Sequence, residues 1–495
     1  MVRNKILLVY TNVRLRNQKP RPPVGLMYLA AALREKYEPV ILDLRTNPDY
    51  LSVLKQVLPD TVLIGISTII GQQLNFSLEA AKFLKKLAPD IPIVFGGTFP
   101  SMAPHTVLKE SCVDYVSISD GEDTLTALAD ALTQGLPVSD IPNLAYRENG
   151  KIVLTRKCTL RSLDTPVMPA WDLVRPEDYR EINVLSSKGC SSGCSFCYNR
   201  VFNQSTLRLR SVENTWNEIE YLIRNHNIRH IAFVDDNFFG NIPHAVALMK
   251  QFVAAGTPVT WETTCRADDL SGFDDEMLQL IHDSGCVELF VGFESASEEV
   301  LRNANKRISV SQMEQCMAKA RQYHFQLRAL FVIGLAGESK KELMQTLKTV
   351  DYLRKHYNEC VKIPVFGIYT PYPTLPPDPA LVNGRYAEPQ TMEEWSVYHH
   401  DRANHQWLNK RQRAYLENVI WVYRYYSKRS KFTKNGRMID HLLYYDACLR
   451  WKLKWFSAAP EWEYIRLQEQ KKYASTLSEV KQDYEMVLRE ELTGK

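Results

Sequence analysis

No apolar run in this 495-residue chain is long enough to cross a membrane. The longest, Val24 to Leu33 and Thr61 to Gly71, fall short of the ~18 residues a spanning helix needs. A secretory pattern is missing too: the run Ile6-Leu-Leu-Val-Tyr10 is too short for one and ends without a cleavage site. Neither sign of charge is in excess. The 61 basic and 57 acidic residues leave a net charge of +4, so the overall balance indicates no nucleic-acid partner. Ten cysteines are spaced irregularly along a long chain, which excludes the disulfide framework of a small secreted domain. The expectation is a cytoplasmic protein, any contact it makes with a membrane being peripheral. With 45% hydrophobic and 24% charged residues it has the composition of a globular protein, and its length suggests roughly three domains.

What is present concentrates in Lys188-Gly-Cys-Ser-Ser-Gly-Cys-Ser-Phe-Cys-Tyr198, directly after a strand-like run, Ile182-Asn-Val-Leu-Ser186. Cys190, Cys194 and Cys197 are spaced C-x3-C-x2-C. Soft thiolates at this spacing can hold an iron–sulfur cluster or a zinc ion. A four-iron cubane held by three thiolates keeps one iron open for a substrate or cofactor. Zinc sites usually close with four ligands, and no second C-x2-C or Cys/His pair completes one here. Cys112, Cys158, Cys265, Cys286, Cys316, Cys360 and Cys448 are scattered singly and read as small buried hydrophobes, so no second cluster is expected.

This loop resembles the signature of the radical S-adenosylmethionine (SAM) superfamily, with Phe196 as the aromatic before the third cysteine. The resemblance implies a [4Fe-4S] cluster whose open iron chelates SAM. One electron, from a donor such as flavodoxin or ferredoxin, then cleaves SAM to a 5'-deoxyadenosyl radical. Residues 182–385 alternate strands and helices at the lengths of a partial (β/α) barrel. Its strands are expected at His230–Asp235, Val259–Thr264, Val287–Gly292, Leu327–Gly334 and Ile363–Ile368. Barrels place chemistry at the carboxyl ends of strands, and polar residues collect there. SAM offers an ammonium that wants carboxylate acceptors and a carboxylate that wants a guanidinium. By resemblance, Ile231–Phe238 matches the strand element near the methionyl amine, and Gly292-Phe-Glu-Ser295 a G-x-E-S element. Gly334-Leu-Ala-Gly-Glu-Ser339 resembles G-L-P-G-E with alanine for proline, and Thr370-Pro-Tyr-Pro-Thr374 resembles T-P-Y-P-G-T without its glycine. SAM contacts are therefore expected at Asp235, Asp236, Arg266, Glu294, Ser295 and Gly334. The carboxylates also have a plainer reading: Asp235 or Asp236 as a helix cap, Glu294 as structural, with Arg266 as an ion-pair partner.

Residues 1–142 read as a doubly wound, Rossmann-like α/β domain. Strands are expected at Lys5–Tyr10, Pro39–Asp43, Val62–Ser67, Pro92–Gly96 and Tyr115–Ile118, with helices between them. Ligands of such sheets sit at the carboxyl ends of the strands, near the switch point. Placed before the core, this stretch resembles the cobalamin-binding domain of B12-dependent radical SAM enzymes. The resemblance is carried by Pro22-Pro-Val-Gly-Leu26, Phe95-Gly-Gly-Thr98 and Asp120-Gly-Glu122. It implies cobalamin contacts at Gly25, Ser67, Gly96, Gly97, Gly121 and Glu122. The D-x-H-x-x-G motif is absent, Tyr10-Thr-Asn-Val-Arg14 standing there instead, which implies cobalamin held without a protein histidine. Thr98-Phe99 stands where relatives often carry Pro-His or Ile-His. A linker over 143–181 follows, with a hairpin around Glu148-Asn-Gly150.

Residues 386–495 read as helical. From Lys410 to Lys454 twelve basic residues face three acidic ones and interleave with aromatics. This suits an anionic membrane surface or an acidic substrate, or a helical cap with aromatics inside and basic groups in water. The resemblance implies an enzyme acting on an unactivated C–H bond, by cobalamin-dependent C-methylation of a natural-product, peptide or lipid-like substrate. Cyclisation or rearrangement without methyl transfer is the alternative, as is a non-catalytic corrinoid or iron–sulfur module.

Overall fold

The apolar runs of the first third form strands because they are continuous and short, and helices on both faces bury them. The computed structural model describes residues 4–11, 19–157, 160–166, 168–256, 259–427, 438–457 and 459–493. Strands β1 (Lys5–Tyr10), β2 (Glu38–Asp43), β3 (Thr61–Ser67), β4 (Ile93–Gly96) and β5 (Tyr115–Ser117) are parallel. With β6 (Leu144–Glu148) and β7 (Lys151–Leu154) they make one sheet in the order β2-β1-β3-β4-β5-β6-β7. Helices Val24–Leu33 and Glu122–Gln134 bury one face through Leu26, Ala30, Leu125 and Leu128. Tyr50–Val57 and Gln73–Leu87 bury the other through Leu54, Leu74, Leu78 and Leu84. The chain switches direction between β1 and β3, and the crevice there opens at their carboxyl ends.

The hairpin expected within the linker is instead the antiparallel edge of this sheet. β6 pairs with β5, and Asn149 and Gly150 both take positive φ, as a tight two-residue turn requires. Extended chain follows β7. Asp164 accepts from the backbone N–H of Ser211 at 2.7 Å, tying the connector to the start of helix Val212–His226.

The second sheet is parallel throughout and runs in sequence order from one edge: β8 (Ile182–Val184), β11 (His230–Phe233), β12 (Thr260–Arg266), β13 (Cys286–Glu294), β14 (Gln326–Ile333) and β15 (Val361–Ile368). It is a six-stranded partial barrel with helices outside. A short antiparallel ladder, β9 (Ser187–Lys188) with β10 (Arg208–Leu209), brackets the cysteine loop. Ser211, Asn241 and Asp274 cap the outer helices, each accepting a backbone N–H with its side chain. Neither Asp235 nor Asp236 is such a cap.

Beyond the barrel come helices Met392–Ser396, Lys410–Ser427, Met438–Leu453 and Pro460–Thr493. The last reaches back from Trp462 in the barrel-side core to the first sheet. There Tyr484 stacks on Phe83 with ring centroids 4.3 Å apart, and the Tyr50 hydroxyl donates to Asp483 at 2.6 Å. One helix thus fastens both sheets. The interleaved aromatics are largely internal: Tyr423, Trp451 and Phe456 are buried. Several basic groups are paired, Arg424 with Asp401, Arg450 with Asp446 and Glu461, and Lys454 with Asp351. The count of twelve to three therefore overstates free positive charge. Lys428, Arg429, Lys431, Lys434 and Arg437 lie outside the described residues, as do Asn12 to Arg14 and Cys158. Among the described residues no helix is long and apolar enough to cross a membrane.

Candidate cofactor sites

The cysteine loop owes its path to two glycines. Gly189 has φ +92, and a Cβ there would come 2.0 Å from the Thr206 carbonyl oxygen; Gly193 has φ +70. Hydrogen bonds from the second sheet hold the rest. Ser195 donates its N–H to the Ala304 carbonyl at 2.9 Å, and the Asn305 amide donates to the Gly193 carbonyl at 2.8 Å. All three thiols are free, Cys194 buried and its companions half-buried. Burial pushes the Cys197 thiol up to about 11, and Cys194 and Cys190 are near enough to add to this. The donor set, three soft thiols on one short loop, suits an iron–sulfur cubane.

The two aspartates after β11 act on the loop from behind. Asp235 is buried; one oxygen accepts the Ser186 N–H at 2.9 Å, and the other accepts the hydroxyls of Ser186 and Ser187, each at 2.6 Å. Burial holds its carboxyl up at about 6 despite those donors. Asp236 accepts the Gly189 N–H at 2.7 Å and the Tyr198 hydroxyl at 2.5 Å, gripping the loop on both sides of the cysteines.

On the next strands, Arg266 forms a bidentate pair with Asp268, both contacts 2.9 Å, and its other terminal nitrogen lies 3.8 Å from Cys194 Sγ. Glu294 accepts from Lys306 at 2.7 Å, both side chains about nine-tenths buried. Glu294 also has φ +64, a strained backbone for a residue with a Cβ, beside a register shift in β13. A Cβ on Gly292 would meet the Glu294 carboxylate at 2.5 Å, so glycine there makes room for the folded-back side chain. Burial lowers the Lys306 pKa, but Glu294 and then Cys194 overcome that and leave it raised. Lys306 was not singled out from sequence; it lies within Ala304-Asn-Lys-Arg307, which has no strand or motif to mark it. Ser295 is fully buried against Thr346, and Gly334 faces His405, which precedes helix Lys410–Ser427, and Leu416 on that helix.

At the switch point of the first sheet a cavity of about 290 Å³ collects all six residues expected there: Gly25, Ser67, Gly96, Gly97, Gly121 and Glu122. Gly97 has φ +101, and a Cβ would strike the Thr68 carbonyl. Gly25 and Gly96 differ, since a Cβ at Gly25 would meet nothing within 4 Å and one at Gly96 would meet only Ser117 at 4.0 Å. Neither their φ nor their protein neighbours call for glycine; a ligand lying on the backbone would. Among the described residues no histidine lines this cavity. Lys188, Tyr198 and Phe202, from the cysteine-loop segment, form one part of its wall. Lys188 and Arg208 both donate to Asp120, whose carboxyl is lowered by these two cations although burial opposes it. This junction was also missed from sequence, because Asp120 and Lys188 are far apart in the chain.

Comparisons with known proteins agree with this division. A model of the radical SAM superfamily matches residues 184–350, and a model of the B12 binding domain matches residues 18–129. An uncharacterized methyltransferase of Pyrococcus horikoshii is 28% identical over 363 residues, 71% of this chain and 76% of that protein. The anaerobic magnesium-protoporphyrin IX monomethyl ester cyclase of Cereibacter sphaeroides is 24% identical over 375 residues, 72% of this chain and 59% of that protein. Among solved structures, the cobalamin-dependent SAM radical enzyme OxsB, with aqua-cobalamin and SAM bound, aligns over 99% of this chain and 80% of its own. Its TM-score is 0.67 at 16% identity, a likeness of fold.

Proposed function

Because the chain is a radical SAM superfamily enzyme with a B12-binding domain, we propose that it methylates an unactivated carbon of a small-molecule, peptide or lipid-like substrate. One observation carries this reading: the switch-point cavity and the cysteine loop share a wall. Tyr198 directly follows Cys197, Lys188 precedes Cys190 by two residues, and both line the cavity. A corrinoid held there would be next to SAM held at the loop, as methyl transfer requires. When bound, the [4Fe-4S] cluster would supply one-electron cleavage of one SAM to methionine and a 5'-deoxyadenosyl radical, and cobalamin would supply a carrier for the methyl group of a second SAM.

The chain's own residues bind and orient. Cys190, Cys194 and Cys197 hold the cluster, and Asp236 fixes the loop through Gly189 and Tyr198. Arg266 and Lys306 bring positive charge beside Cys194. Arg266, Glu294 and Asp236 are the SAM contacts we propose; Asp235, Ser295 and Gly334 frame them. Gly25, Gly96 and Gly97 let the corrinoid approach the backbone, with Ser67, Gly121 and Glu122 around it. The oxygen sensitivity of such a cluster places the work in a reducing cytoplasm, with a flavodoxin- or ferredoxin-like electron donor.

The test is anaerobic reconstitution with iron, sulfide and hydroxocobalamin, followed by SAM and reductant. Corrinoid absorbance retained by the protein and 5'-deoxyadenosine release that needs all three cysteines are expected. Release from colourless protein would favour cyclisation or rearrangement without methyl transfer. An intact cluster with no release would favour a binding module.

A further inference from the structure

Three consecutive residues join the cysteine loop to Glu294. The Ala304 carbonyl accepts the Ser195 N–H at 2.9 Å, and the Asn305 amide donates to the Gly193 carbonyl at 2.8 Å. The Lys306 ammonium donates to Glu294 Oε1 at 2.7 Å. Two of the three thus grip the loop between its cysteines, and the third grips the acid. Arg266 closes the link from the other side. Its Nη2 donates to the Lys306 carbonyl at 2.9 Å, and its Nη1 lies 3.8 Å from Cys194 Sγ. The Lys306 side chain is 8% exposed and that of Glu294 10%. Replacing an ion pair buried to this degree by apolar residues often leaves a fold as stable, so stability alone does not account for it.

The ammonium and the acid meet over bare backbone. A Cβ on Gly292 would stand 2.5 Å from Glu294 Oε1 and 3.0 Å from Lys306 Nζ. Gly292 pairs with Arg266 in the sheet register, so the meeting point lies at the carboxyl ends of β12 and β13. Lys306 engages Oε1 only; among the described residues nothing hydrogen-bonds Oε2. We propose that Lys306 is a positioning residue for SAM. It holds Glu294 at a fixed offset from the cysteine loop and leaves Oε2 to receive the methionyl ammonium. This role rests on the assignment of SAM to the loop. It adds how the acid is kept in register with the cluster ligands, by a segment bonded to both.

SAM titration of the reduced, anaerobically reconstituted full chain, followed by the electron paramagnetic resonance of its cluster, tests this. Lys306→Met should keep the bound iron and the cluster signal, yet need about tenfold more SAM for half the spectral change. Lys306→Arg, which restores the charge, should recover most of that affinity. Asn305 has φ +48, so Asn305→Gly keeps the turn and removes the grip on Gly193; it should weaken SAM binding in the same direction. Wild-type affinity in either Lys306→Met or Asn305→Gly would overturn the proposal. So would loss of the bound iron from both, since the segment would then serve the loop alone. A wild-type cluster whose signal ignores SAM would sink the assignment of SAM to the loop, and this role with it.

Discussion

Lys188, at the foot of the cysteine loop, donates to the carboxylate of Asp120 at the carboxyl end of the first sheet. Arg208, from the strand paired with Lys188, shares the same carboxylate. A single acid thus ties the corrinoid-side crevice to the backbone that presents Cys190.

Replacing that acid tests the tie. Asp120→Asn leaves Arg208, 9% exposed, and Lys188, 27% exposed, without their counter-charge. Solvent screens part of the penalty, so a loss of about 2 kcal/mol is expected as a lower denaturant midpoint, together with weaker corrinoid retention. An unchanged midpoint with undiminished visible absorbance would show that the pair does not hold the two sites together.

Gly25→Ala separates folding from ligand binding. A methyl there meets no protein atom, and alanine suits a helix better, so the apo protein should gain about 0.5 kcal/mol. Corrinoid affinity should fall at the same time, read by titration with hydroxocobalamin. Equal affinity would mean that the ligand does not lie against this turn.

The two kinds of cysteine should respond oppositely. Cys190→Ala, Cys194→Ala and Cys197→Ala combined should remove the bound iron and the cluster absorbance. Cys316→Ala, at a fully buried helix position away from the loop, should keep both and cost about 1 kcal/mol of stability. Iron retained by the triple variant would sink the ligand assignment. Gly189→Ala should mimic the triple variant, because its Cβ would collide with the Thr206 carbonyl.

Acid sensitivity should come partly from His405. Its ring is 1% exposed, and burial pushes the imidazole down from 6.5 to about 4. The unfolded chain therefore binds more protons between those two values, so stability rises with pH through that window and is lost on acidification. The lowering corresponds to roughly 3 kcal/mol. His405→Phe should lose less stability than wild type between pH 6.5 and 4, read from denaturant midpoints. Identical pH profiles would remove His405 as the cause.

Strands β1, β3 and β4 were legible because each is a short apolar run in the parallel part of the first sheet, with its central residues buried on both faces. β3 and β14 lie within one or two residues of their expected limits. The cysteine loop and the glycine-lined crevice were legible because their chemistry is local: three thiols within eight residues, and glycines at strand ends. The hairpin was seen but misplaced, since pairing of β6 with β5 is a long-range choice that periodicity does not encode.

The sequence by itself located the three clustered thiols, the strands of the barrel and the glycines at the ends of the first sheet's strands. Only the tertiary structure decided which charged groups meet. Asp235 turned inward to two serines, Glu294 found Lys306, and Asp120 found Lys188 and Arg208. It also decided that the aromatic residues of the last helices divide, Trp451 inward and Tyr445 outward. The physical reason is range. Thiolate spacing and backbone sterics act over a few residues, whereas a buried charge takes whichever partner the packed sheets and helices bring within hydrogen-bonding distance.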